Sequence, residues 1–132
     1  MIRDFEEKDL ELIDTNEFSD IELYKDFLDV LNLKTIIKDD KIVCILGYLN
    51  YWGNNYKAFI SLSNDFKYAR EVKKNINTLI EELNMERIET ESPDNEVLNR
   101  WHEFLGFKKE GTKVKFMDNQ DYNVWGLVWQ QE

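Results

Sequence analysis

Apolar residues recur along this chain with two different periods, and the places where the period changes divide it into elements. From Asp65 to about Asn84, Phe66, Ala69, Val72, Ile76, Leu79, Ile80 and Leu83 share one helical face. Lys, Arg and Glu take the other face, so this stretch predicts the longest helix. A second wide stripe at positions 23, 24, 27, 28, 30 and 31 predicts a helix from Asp20 through Leu31. A short one is expected over Glu6 to Ile13, with Leu10 and Ile13 inward. Strands are expected at Met1 to Phe5, Lys34 to Ile37, Ile42 to Leu49, Tyr56 to Leu62, Met85 to Thr90, Phe107 to Met117 and Tyr122 to Trp129. Polar turns at 38–41, 51–55 and 118–121 separate them. Gly47, inside the longest apolar run, predicts a bulge or a close backbone approach.

After the strand ending at Thr90 comes SPDNEVLNRWHEFLGFKKEG, residues 92–111, which runs into the next strand. Ser92, Pro93 and Asp94 are turn and helix-start residues. Residues 97, 98, 101, 104 and 105 are apolar at helical spacing over Asn95 to Phe104. Gly106 then stands where a helix closes in the left-handed region.

The bulk numbers narrow the class. The 132 residues, 42% hydrophobic and 14% aromatic, are enough for one domain with a real core. The single cysteine, Cys44, excludes a disulfide framework and fits a reducing compartment such as the cytoplasm. No apolar run is long enough to span a membrane, and the charged N-terminus is unlike a signal peptide. Net charge is −10, from 27 acidic and 17 basic residues. Such a field repels nucleic acid and anionic membranes and favours cationic partners: amines, basic peptides or a basic protein surface.

An Asn, a short helix, Leu-Gly-Phe and a charged Lys-Lys-Glu-Gly resemble the C-terminal half of the GNAT superfamily, the Gcn5-related N-acetyltransferases. The element order agrees along nearly the whole chain. The opening IRDFEEKDLELI is similar to the family's start, an Arg and a later Asp leading into the first helix. The resemblance implies an α/β (α+β) fold: a mixed, mostly antiparallel sheet of six to seven strands with about four helices, in one domain spanning residues 1–132. The compact chain is also similar to small GNAT-like proteins of tailed bacteriophages.

That resemblance implies acetyl-CoA as cosubstrate, lying where the fourth strand and the long helix splay from the fifth strand. Backbone N–H groups at the start of the long helix would hold its pyrophosphate, since free amides and the helix dipole favour an anion there. The matching segment, Ser63 to Arg70, has none of the glycines of the family's spelling and places Asp65 in the first turn. Lys67 and Arg70 are candidate phosphate contacts or solvated helix residues, with Tyr68 and Ala69 between them. Ser61 and Ser63 fall where strand backbone pairs with the pantetheine arm. Asn95 falls at the family's pantetheine-contacting Asn, or serves as a helix cap.

His102, the only histidine, stands where the family has the Tyr that protonates the departing thiolate. Its ordinary pKa near 6.5 suits that task; as part of an amphipathic helix it would simply pack. Glu91, on one strand face with Glu89, is the candidate general base. No metal site is expected.

Two readings result. The first is acyl-CoA-dependent N-acetyl transfer to a primary amine or basic peptide, by a monomer or a homodimer. The alternative is a catalytically inactive GNAT-fold structural or accessory protein acting by protein binding, a reading that the missing glycines favour.

Overall fold

In the computed structural model, residues 1–14 and 31–129 are described. Seven strands form one sheet in the order β1-β2-β3-β4-β5-β7-β6. The strands are β1 (Ile2–Asp4), β2 (Asn32–Lys38), β3 (Lys41–Trp52), β4 (Asn55–Leu62), β5 (Arg87–Pro93), β6 (Lys108–Met117) and β7 (Gln120–Val128). All neighbours are antiparallel except β4 and β5. The helices are α1 (Asp9–Leu12), α2 (Ala69–Leu83) and α3 (Glu96–Leu105), with a 3-10 turn at Phe66–Tyr68 before α2. The helix expected over Asp20 to Leu31 falls almost wholly outside the described residues.

Turn chemistry sets the hairpins. Asp39 and Asp40 both have positive φ, as do Asp118 and Asn119. Paired left-handed residues match the right-handed twist of the strands they join, and short Asp and Asn side chains tolerate that region.

α2 lies on the sheet through Val72, Ile76, Leu79 and Ile80. Burying four large apolar side chains stabilises by roughly 6–12 kcal/mol before the entropy of ordering them is subtracted. The helix begins later than its periodicity predicts. Asp65 caps the 3-10 turn rather than an α-helical turn, because its carboxylate takes the Lys67 N–H at 3.0 Å.

α1 is a single turn, shorter than expected, and a buried carboxylate pins it. Asp9 accepts from both Arg3 guanidinium nitrogens at 2.8 Å, from the Glu6 amide at 2.9 Å and from the Thr35 hydroxyl at 2.7 Å. Gly47 is a place of close approach and not a bulge. A Cβ there would stand 3.0 Å from Leu33 Cδ2 and 3.1 Å from Leu31 Cδ1. β5 runs on through Ser92 and Pro93, which the sequence assigns to a turn; pairing with β7 carries the strand to Pro93↔Tyr122.

Candidate functional site

β4 and β5 pair only at Asn55↔Arg87, Tyr56↔Ile88 and Lys57↔Glu89. Beyond that, β4 stays with β3 to Leu62 and β5 stays with β7 to Pro93. Each strand follows its outer neighbour, so a gap opens between them ahead of α2.

Aromatic side chains from α3 and the 3-10 turn pack together just beyond the end of β4. Trp101 on α3 is fully buried, and its indole N–H donates to the Ser63 carbonyl at 3.1 Å. Phe66 sets its ring edge-on to Trp101 at 5.2 Å and to Phe104 at 5.5 Å. The Arg100 guanidinium lies over Phe66 at 4.2 Å, and the Lys73 ammonium lies over Phe104 at 5.1 Å. Under α2, where β4 and β5 are still paired, a void of about 10 Å³ is lined by apolar and tyrosine side chains including Tyr56, Ala58, Ile60, Ile88 and Phe107. It has room for about one water and no polar group to hold it.

The loop before α2 is equally closed. The Ser63 amide donates to the Val43 carbonyl and the Asn64 amide to that of Asp14. The Asp65 amide donates to Ser63 Oγ, and the Lys67 amide to the Asp65 carboxylate. The Tyr68 and Ala69 amides close the 3-10 turn. These donors, which a pyrophosphate would need, already have internal partners, and a carboxylate already stands among them. The Lys67 amide holds the Asp65 carboxyl below the usual range despite some loss of solvent. The residues present therefore do not fit an acyl-CoA as arranged.

Of the residues read from the sequence, Ser63, Lys67, Tyr68 and Ala69 come together in this loop. Lys67 lies 3.4 Å from the Asp65 carboxylate, and Tyr68 and Ala69 are buried. Arg70 is exposed. Ser61 is buried with no hydrogen-bond partner for its hydroxyl among the described residues. Asn95 is the N-cap of α3, accepting from Val97 at 2.9 Å and Leu98 at 3.2 Å, so its side-chain carbonyl is already engaged.

His102 turns into the core. It is 1% exposed, stacks on Trp125 with ring centroids 5.2 Å apart, and meets Phe107 edge-on. Nδ1 lies 2.7 Å from the Leu98 carbonyl, which can only accept, so Nδ1 carries the proton. Nε2 then presents a lone pair with no partner among the described residues. Burial pushes the imidazole down to about 4, although the Leu98 carbonyl works against it. At neutral pH this His is uncharged, and its one N–H is spent on backbone.

Glu91 is on the opposite face of the sheet. Trp125 pairs with Thr90, so His102 packs on the Thr90 face, while the next residue along β5 points away. The Glu91 carboxylate lies between Lys57 and Lys113, the latter at 3.1 Å. Burial raises its pKa, but the two ammonium groups more than offset this and hold it below the ordinary range. The candidate acid and base are thus separated by the sheet.

Sequence reasoning missed the partners of these residues. Trp101 reads as core, and nothing in its spacing names Ser63. Lys57 and Lys113 reach Glu91 only through strand register.

No protein-family model matches the sequence, and a search of curated proteins finds no match. Solved structures do match. The ribosomal-protein-S18-alanine N-acetyltransferase of Escherichia coli superposes with a TM-score of 0.71 at 14% identity, covering 100% of this chain and 95% of that one. An IAA acetyltransferase of Bacillus cereus gives 0.73 at 9% identity, covering 98% and 99%. A GNAT-family acetyltransferase of Bacillus anthracis gives 0.64 at 17% identity, covering 96% and 93%. The fold is the GNAT fold. Identities this low carry the architecture and leave the chemistry to the site itself. Among the described residues of this GNAT-fold chain, no helix is long and apolar enough to cross a membrane. No group of three or more His, Cys, Asp or Glu among them could hold a metal.

Proposed function

We propose that this chain is a GNAT-fold binding protein that does not transfer acyl groups, its cosubstrate slot closed by its own aromatic side chains. The observation that carries the reading is the buried hydrogen bond from Trp101 Nε1 to the Ser63 carbonyl. It spends a backbone acceptor just past the end of β4 and fixes a large ring there. The Asp65 carboxylate in the loop, the inward His102 and the ion-paired Glu91 support the same reading. The acidic chain would act through its surface on a protein partner.

N-acetyl transfer from acetyl-CoA to a primary amine or basic peptide is the second reading. The divergence of β4 and β5 favours it. So do the neighbours, which include N-acetyltransferases of ribosomal-protein alanine and of spermidine.

Calorimetric titration with acetyl-CoA separates the two. A closed slot gives no binding heat up to about 1 mM ligand, the weakest affinity a cosubstrate site would need. Micromolar binding that weakens in Lys67→Ala would overturn the proposal and restore the transferase.

A further inference from the structure

The charge of the described residues is separated between α1 and β6. Among the described residues, 1–14 hold six acidic and two basic side chains, a net −4. Strand β6, residues 108–117, holds four lysines and one glutamate, a net +3. The strand order sets β1 and β6 at opposite edges of the sheet.

β6 also presents what a docking surface needs. It pairs with β7 alone among the described residues, and all but two of its ten residues are exposed. Val114 is 72% and Phe116 44% exposed among these lysines. Its register breaks after Lys109 and after Lys113. A partner strand therefore could not zip regularly along this edge. Recognition must run through side chains: ammonium heads with an apolar centre.

A matching acidic surface lies on the same molecule around α1, which packs on β3, four strands away from β6 in the sheet order. Around α1, Glu7, Glu11 and Asp14 are exposed, and Leu12 is 63% exposed beside them. Asp9 and Arg3 neutralise each other internally and leave this surface acidic. A two-fold contact of β6 with β6 would oppose lysine to lysine, which disfavours a symmetric dimer through this strand. The surviving arrangement is heterologous.

We infer that β6 of one copy docks on the acidic α1 surface of a second copy, head to tail. Such a contact leaves one β6 and one α1 surface open at the ends of any assembly, so it extends into chains or closes into a ring. The inference does not depend on the closed slot, so sedimentation and acetyl-CoA titration can fail separately.

The test is sedimentation velocity over a concentration series in low and high salt. In about 50 mM salt the mass should rise with concentration. In about 500 mM salt, where screening cuts the reach of charge to a few ångström, it should return to the 15.9 kDa monomer. Lys108→Glu/Lys109→Glu/Lys115→Glu should stay monomeric, and so should Glu7→Lys/Glu11→Lys/Asp14→Lys. An equimolar mixture of the two reversed variants should associate again, because reversed β6 then meets reversed α1. Far-ultraviolet circular dichroism checks that each variant is folded. A wild type that is monomeric at every salt and concentration overturns the inference. So does association that survives in the β6 variant, or a reversed mixture that stays monomeric. Binding of a DNA oligonucleotide through β6 by a strictly monomeric protein also overturns it.

Discussion

Replacing Trp101 by Phe tests whether the aromatic plug is part of the fold's stability or a side chain resting in an open cleft. The substitution keeps an aromatic ring in α3 but deletes the indole N–H and part of the side-chain volume. The Ser63 carbonyl, buried beneath Trp101, loses its donor. An orphaned buried acceptor costs about 1–3 kcal/mol. The lost volume at a fully buried position adds about 1 kcal/mol as residual cavity. The expected loss is therefore about 2–4 kcal/mol, and the unfolding midpoint should drop by roughly 6–15 °C for a chain of this size. Urea unfolding followed by circular dichroism in high salt measures it free of any self-association. An unchanged m-value with a lower midpoint concentration would assign the loss to the folded state. A change below about 0.5 kcal/mol, the ordinary scatter of surface substitutions, would refute the reasoning. Trp101 would then swing freely, and the gap would be open in solution.

Two further outcomes follow from buried ionisable groups. Asp9→Ala leaves the Arg3 guanidinium and the Thr35 hydroxyl without their partner, and should cost about 3–5 kcal/mol at pH 7 by urea titration. In the wild type, burial works against the Asp9 charge, but Arg3, the Glu6 amide and Thr35 prevail and hold the carboxyl at about 2. This depressed value means that the stabilisation is complete above the unfolded carboxyl pKa, about 3.9, and is lost as pH falls through about 2. His102 acts at higher pH. Its folded value of about 4 lies below the unfolded value near 6.5, so the unfolded chain binds the proton more readily. Stability from this group is complete above about 6.5 and declines towards pH 4 by about 3 kcal/mol. His102→Phe should flatten that slope, and the imidazole resonance of the wild type should titrate near 4. A midpoint near 6.5 would mean that the ring faces water.

Much of this molecule is legible in local spacing because local physics decides it. The face of α2 is set by residues three and four apart, whichever surface they meet. Gly106 has φ of 100° because α3 must end in the left-handed region, and Asn95 caps α3 whether or not a ligand is near. Asp39-Asp40 turns a hairpin from its own backbone preference. What joins positions far apart was decided only by tertiary structure. Helical spacing marks Trp101 as buried but does not say that its N–H will meet a carbonyl 38 residues earlier. His102 reads as the flank of a stripe, and only the angle of α3 on the sheet turns its ring onto Trp125. Glu91 alternates correctly along β5, yet its ion pairs come from β4 and β6 through a register that no single strand encodes. Periodicity tells a side chain which way is inward; the packing of separate elements decides what it finds there.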